Sequence, residues 1–335
     1  MGVLEVIGVV LLATSLVFIV VLTARRSYTG SRIRRRDRLT TELRPLAIAF
    51  VEGGADEAVP EYRGLEAEVF AELLGGYARL LRGEGRERIA AYFERRGGVD
   101  EQLRRLESRR AWKRATAAFM LGDMCSHRAV GELMPALGDR ARPVRMAAAR
   151  SLGRLEAVES IEPLIESGVS GRLPEDVTGL ALFDIGPAAV PRLLELSASD
   201  EPAIRARALE LVGLIGEARD AKQIVDRLSD PAAAVRAAAA DALGRLGAGE
   251  ARDALVRALD DRVPAVRAAA ARALGQAGGR RAAEALLPVA RGDSFEPARA
   301  AADALARIDP ALVVAAAAEP DAGPHLREAA DVVSL

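Results

Sequence analysis

Apolar residues along this chain group into helical faces, and one face returns at a nearly constant interval. In the copy opened by Pro231, the side chains Val235, Ala239, Ala242, Leu243 and Leu246 fall on one side of a helix. Gly244 and Gly247 predict its end, and Ala251, Leu255, Ala258 and Leu259 form a second stripe that stops at Asp260–Asp261. Pro231 suits a first turn, where its missing N–H costs nothing. The unit reads as two antiparallel helices joined by a tight glycine turn.

This pattern occurs seven times, with anchors at Arg114, Arg145, Thr178, Arg205, Arg236, Arg267 and Arg299. Ala follows at position +3 in all seven, as Ala117, Ala148, Ala181, Ala208, Ala239, Ala270 and Ala302. Gly follows at +8 in six, as Gly122, Gly153, Gly186, Gly213, Gly244 and Gly275, and Arg307 breaks the column. Gly is only 30 of 335 residues, so six in one column mark a true repeat. A period near 31 residues is the signature of a solenoid, in which each unit buries its apolar face against its neighbours. The Ala column is expected where neighbouring helices approach most closely.

Ahead of the repeats, the run Val6–Ala24 holds no charged residue. Its length as a helix, about 28 Å, approaches the roughly 30 Å hydrocarbon thickness of a bilayer. Arg25, Arg26, Arg32, Arg34, Arg35, Arg36 and Arg38 follow at once, a stop-transfer arrangement. A cleaved signal would want a basic start, whereas this one has Glu5 and no Lys or Arg before the run. The positive-inside rule then predicts a single-pass membrane protein, its N-terminus outside and the remainder cytoplasmic. The arginines would meet anionic lipid headgroups. Residues 39–110 read as helices over Leu39–Val51, Leu65–Leu81, Arg86–Arg95 and Val99–Arg109, forming a cap or a docking region. The expected division is therefore anchor 1–24, basic segment 25–38, helical region 39–110 and solenoid 111–335.

Charge excludes one class of partner. The chain carries −1 in all, residues 1–24 carry −1 from Glu5 and residues 25–38 carry +6, so residues 39–335 sum to −6. An acidic solenoid repels phosphate backbones, which argues against nucleic acid. The single cysteine, Cys125, rules out an internal disulfide and a multi-cysteine metal cage. Phosphate-loop, H-E-x-x-H and C-x-x-C motifs are absent. Cys125 and His127 could suggest a nucleophile and base, but no third group orients them. Trp112 and the phenylalanines are expected in the core. No cofactor, metal or small-molecule substrate is expected.

The strings VRAAAADALGRLG (Val235–Gly247) and VRAAAARALGQAG (Val266–Gly278) resemble HEAT repeats, in the short-period form also found in phycobilisome-lyase-like proteins. The resemblance covers roughly residues 111–335. It implies an α-solenoid whose second helices line a protein-binding face, and it does not imply lyase chemistry. The expected fold is thus all-α: about seven HEAT-like helix pairs, preceded by a helical cap and one N-terminal transmembrane helix. An Asp stands six residues before the anchor in Asp139–Arg145, Asp230–Arg236, Asp261–Arg267 and Asp293–Arg299, and five before it in Asp200–Arg205. Similar positions in HEAT proteins form a ladder between adjacent units, so these residues are expected to be structural.

On the second helices, Arg219, Lys222, Gln223, Asp226, Glu250, Asp253, Arg257, Arg281 and Glu284 are candidates to face a protein partner. The functional expectation is a membrane-anchored cytoplasmic scaffold or regulatory subunit, without enzymatic activity, that binds membrane-associated proteins. A glycosyltransferase system of surface-polysaccharide synthesis is one such partner, although no residue specifies it. A bilin-type lyase or isomerase is the enzyme-class alternative, disfavoured by the anchor and the missing catalytic group. A nucleic-acid-binding HEAT protein is the third, disfavoured by charge.

Overall fold

A computed structural model describes residues 18, 33–54, 61–247 and 249–334. Of the apolar run only Phe18 is among them, and Arg25, Arg26 and Arg32 lie outside the described residues, as does nearly all of the expected membrane span. Among the described residues there are helices and turns and no strand. The chain divides into two compact units. One runs to Glu101 and includes Asp123–Ser126, and the other comprises Gln102–Gly122 and His127–Leu335.

The first unit holds helix α1 (33–52), α2 (Leu65–Ala78), α3 (Glu84–Arg95) and the start of α4 (Gly98–Leu106). The described part of α1 includes Arg34, Arg35, Arg36 and Arg38, so the last arginines of the basic cluster are helical. The scarce aromatic residues concentrate here. Phe50, Phe70 and Tyr92 meet edge to face with centroids 5.4–6.3 Å apart, and Tyr62 and Phe93 extend the cluster. Such pairs add to the free energy of burial because ring edges and faces carry opposite partial charge. Gly75 does not break α2. It lets Asp123 approach, 3.3 Å from where its Cβ would lie.

The second unit is an array of helix pairs. First helices are α5 (Ala111–Asp123), α7 (Arg142–Arg154), α9 (Glu175–Ile185), α11 (Pro202–Ile215), α13 (Ala233–Arg245), α15 (Pro264–Ala277) and α17 (Phe295–Ile308). Their partners are α6 (Val130–Ala136), α8 (Ile161–Val169), α10 (Val190–Leu196), α12 (Ala221–Ile224), α14 (Arg252–Ala258), α16 (Arg280–Gly292) and α18 (Pro310–Ala317), and α19 (Pro324–Val333) follows. First helices stack on first helices, as α11 on α13, α13 on α15 and α15 on α17. One described stretch, Glu175–Leu196, is long and apolar enough to cross a membrane by length and composition. It is half buried and broken at Gly186, with φ 72°, into the pair α9 and α10.

Except at Gly186, the glycines at +8 do not make the turns. A Cβ at Gly244 would lie 2.7 Å from Cα of Ala273, and one at Gly213 the same distance from Cα of Ala242. At Gly275 it would lie 2.8 Å from Cβ of Ala304, and at Gly153 2.6 Å from the carbonyl oxygen of Ala181. These glycines sit inside helices, and their missing side chains let one backbone touch the next. The Ala column, fully buried at Ala148, Ala208, Ala239 and Ala270, lines the same packed layer. The turn is made at +11, where Gly247 and Gly278 have φ 65° and 64°. Cys125 and Glu156 occupy that place in the first two copies with φ 56° and 54°, which for side chains bearing a Cβ is strained.

The seventh anchor also shifts. In α17 the buried set is Pro297, Ala298, Ala300, Ala301, Ala302, Ala304 and Leu305, which superposes on α13 only when Ala298 takes the place of Arg236. Arg299 then points outward, 60% exposed and 4.0 Å from Asp303, and Ala301 and Ala306 fill +3 and +8. Trp112 and Phe183, each 62% exposed, and Phe295, 64% exposed, likewise lie outside the core expected for them, because each stands on the outward side of its helix.

Gly244→Ala should lower the stability of the array by about 1–3 kcal/mol, since backbone cannot give way as a side chain does. Gly131→Ala, whose added Cβ meets nothing within 4 Å, should raise it by about 0.5 kcal/mol. Urea melts of the two variants read the difference. Equal midpoints would mean that the glycine column is not a contact column.

Candidate functional site

The anchor arginines and the aspartates form the ladder, but each arginine reaches the aspartate of the following copy. Arg114 donates from Nε and Nη2 to Asp139 at 2.7 and 2.8 Å. Arg205 donates to Asp230 at 2.9 Å twice, Arg236 to Asp261 at 2.7 and 2.9 Å, and Arg267 to Asp293 at 2.5 Å twice. The remaining Nη1 turns back to its own copy, where Arg236 donates to the carbonyl of Asp230 at 2.8 Å and Arg267 to that of Asp261 at 2.8 Å. Each rung therefore ties a guanidinium to two successive units in a bidentate, charge-assisted geometry. Asp139, Asp230 and Asp261 also accept the backbone N–H two residues on, at 2.8 Å, and so start the next first helix.

These pairs are not the exposed ion pairs of a solvated surface. Side-chain exposure is 8% for Arg236 and 13% for Asp261, and 10% and 5% for Arg205 and Asp230. The arginine hydrogen bonds hold the carboxyls of Asp139, Asp261 and Asp293 below the ordinary aspartate value against the opposing effect of burial. At Asp230 burial is the larger influence and pushes upward, yet the bonds from Arg205 and the Ala232 N–H together prevail and the value is lowered.

Two successive steps lack the Arg–Asp rung. Thr178 replaces the third arginine, and Arg145 finds Arg172 where an aspartate would stand, donating to its carbonyl at 2.9 Å. Asp200 is not a ladder residue. Arg205 takes the Ser199 carbonyl at 2.8 Å, and the Ser199 hydroxyl accepts the Glu201 N–H at 3.3 Å, so Ser199 fills the −6 place and Asp200 lies exposed beside it. Ser108 does the same before Arg114. Serine thus stands where no preceding arginine arrives, and aspartate where one does, except at Arg172. Arg299 leaves the ladder for the reason of register given above, and Arg114 joins it.

The candidates on the second helices are largely matched to one another. Lys222 pairs with Glu250 at 3.4 Å, Asp253 with Arg281 at 2.9 Å, and Glu284 with Arg280 at 2.9 Å. Asp226 and Arg257 are exposed, and Arg219 and Gln223 line a groove against α10. Cys125 is buried in its turn, and His127 is exposed in the short helical turn that follows. Of the described basic cluster, Arg36 is committed to Glu72 of α2, and Arg34, Arg35 and Arg38 line a surface depression with Leu39 and Glu42. Among the described residues no cluster of His, Cys, Asp and Glu could hold a metal ion.

Asp261→Ala strands Arg236 and should cost about 2–4 kcal/mol, whereas Asp200→Ala should stay within about 0.5 kcal/mol. Because the folded-state aspartate values are depressed, the rung's contribution is full above about pH 4 and is lost as pH falls further. The gap between the variants in chemical melts should therefore narrow in acid. Equal losses at neutral pH would contradict the register described.

A family model described as HEAT repeats matches residues 100–172 and 221–306. The unmatched stretch between them contains α9 and α11, where the rung is missing. Nothing among curated proteins matches the chain. Among solved structures, the complex of CpcE and CpcF of phycocyanin lyase from Nostoc sp. PCC7120 is 23% identical, over 70% of this chain and 94% of that one, with a TM-score of 0.32. Human deoxyhypusine hydroxylase in complex with glycerol is 20% identical over 84% and 98%, with a TM-score of 0.33. Kap95p, from a structure with RanGDP, is 12% identical over 86% and 46%, with a TM-score of 0.45. At these values the likeness concerns the fold alone. The stacked pairs, the ladder and the matched repeats make this chain a HEAT-repeat protein.

Proposed function

We propose that the chain is a membrane-anchored scaffold or regulatory subunit that holds its solenoid in the cytoplasm and binds membrane-associated proteins. The observation that carries this reading is the row of second helices, which offers polar side chains along successive units of a stacked array. Each unit is fixed to its neighbours, so a partner would meet several pre-positioned contacts at once, which limits the ordering cost of binding. Support for the anchor comes from Val6–Ala24 and the arginines that follow it. Tethering would raise the effective concentration toward partners in the same bilayer. The same reading assigns no catalytic step to the chain. Anionic headgroups would lie near Arg34, Arg35 and Arg38.

The chain should stay with membranes through salt and carbonate washes, and detergent extraction should recover it with a membrane protein. A glycosyltransferase of surface-polysaccharide synthesis is one partner that such recovery would identify. Lys222→Glu with Arg257→Glu should reduce recovery several-fold, while Cys125→Ser and His127→Ala leave it unchanged. A soluble secreted product beginning downstream of Ala24 would refute the anchor. Loss of function in the Cys125 or His127 variant, with silent charge reversals, would favour an enzyme.

A further inference from the structure

Charge is spread unevenly along the array. Residues 102–154 hold twelve arginines and lysines against four acids and carry +8, whereas residues 155–335 carry −9. The ladder engages Arg114, and Arg145 is held by three backbone carbonyls. Arg109, Arg110, Arg140, Arg142 and Arg150 are exposed, and among the described residues none of the five is paired with a carboxylate. Stability does not account for them. Arg109 and Arg110 lead into α5, Arg140 leads into α7 and Arg142 opens it, where the positive end of the helix dipole disfavours a cation. The next first helix, α9, opens instead with Glu175 and Asp176.

Apolar side chains are exposed on the same side. On α5, Trp112, Thr116 and Phe119 follow one another at helical spacing, and Pro143, Ala147 and Arg150 take the corresponding places on α7. The Arg154 guanidinium stands 4.6 Å from the centroid of the Phe119 ring, which joins the two helices across this side, and Lys113 Nζ is 5.6 Å from that of Trp112. One unit further, Leu180 and Phe183 hold the places of Thr116 and Phe119 on α9. Trp112 and Phe183 are the exposed rings already noted, and Leu180 is 49% exposed.

We infer that this outward side of α5, α7 and α9 rests on an anionic bilayer surface, with the arginines at lipid phosphates and Trp112, Leu180 and Phe183 at headgroup level. Aromatic rings settle at the membrane–water boundary, and an arginine there reaches phosphate while its stem stays in apolar surroundings. Phosphate alone would leave Leu180 without a use, and a bilayer takes both kinds of side chain. The acidic remainder of the array is repelled by the same surface, so the charge gradient orients the solenoid and leaves the second helices free for protein partners. The inference rests on the anchored reading above, which keeps the solenoid within reach of a bilayer, and adds a second contact to it.

Trp112 is the only tryptophan, so its emission reports on this face alone. The full-length chain is reconstituted into vesicles of phosphatidylcholine, or of equal parts phosphatidylcholine and phosphatidylglycerol, each with and without lipid brominated near the headgroup. In the anionic vesicles Trp112 should emit at shorter wavelength and be quenched about threefold more than in the neutral ones. The triple variant Arg140→Glu, Arg142→Glu and Arg150→Glu should lose that difference while keeping its helicity, since the helix dipole favours the new charges at the start of α7. Equal quenching in both vesicles, or unchanged quenching in the triple variant, would overturn the inference. So would a Trp112 that responds to an oligonucleotide in detergent and not to anionic lipid, which would make the face a nucleic-acid surface. If the chain resists carbonate extraction from the vesicles while Trp112 stays unquenched, this face assignment alone falls and the anchor stands. Quenching in anionic vesicles of a chain that carbonate removes would uphold the face and refute the anchor.

Discussion

Contact of backbone with backbone between consecutive first helices sets the geometry on which the rest of this array depends. At Gly213, Gly244 and Gly275 the next helix comes so near that a single carbon would overlap it. Close-packed interiors transmit such a constraint over many residues, because neighbours have no free volume to absorb it. The surrounding layer must then be built from small side chains, which explains the alanine of α13, α15 and α17. The aromatic residues cluster instead in the other unit, around Phe50, Phe70 and Tyr92.

Close approach alone would allow helices to slide, and the ladder removes that freedom. A bidentate guanidinium fits one position of the carboxylate, and its third nitrogen is held by a carbonyl of its own unit. The aspartate is oriented in turn by the N–H that begins the next helix. The two devices coincide between α11 and α17 and are both missing between α9 and α11, while between α7 and α9 the Gly153 contact stands without an Arg–Asp rung. The step between α9 and α11 carries the groove that Arg219 and Gln223 line against α10.

Much of this was legible in the residues. The period, the number of helix pairs, the buried Ala column and the structural role of Asp and Arg follow from spacing, because a repeat applies the same physics at every copy. The function of the +8 glycines was not legible. A glycine that ends a helix and one that admits a neighbour look alike in sequence, and only the partner helix distinguishes them. Cys125 and Glu156 hid the true turn position because they adopt a left-handed conformation normally left to Gly. Arg299 imitated an anchor by lying one residue beyond Ala298, and Asp200 imitated a rung beside Ser199. Both errors came from matching residue type, where the burial of the whole helix decides the register. The second-helix charges looked like a free polar face, and several are paired across units.

Arrays of this kind open in cooperative blocks set by the strength of each interface. Native-state hydrogen exchange followed by mass spectrometry measures that strength step by step in the intact chain. Amides of α13 and α15 should exchange slowest and together, and those of α9 and α12 should exchange earlier through a separate opening. Uniform protection from α7 to α17, or slowest exchange at α9, would contradict the claim that the glycine contacts and the arginine rungs hold the array in register.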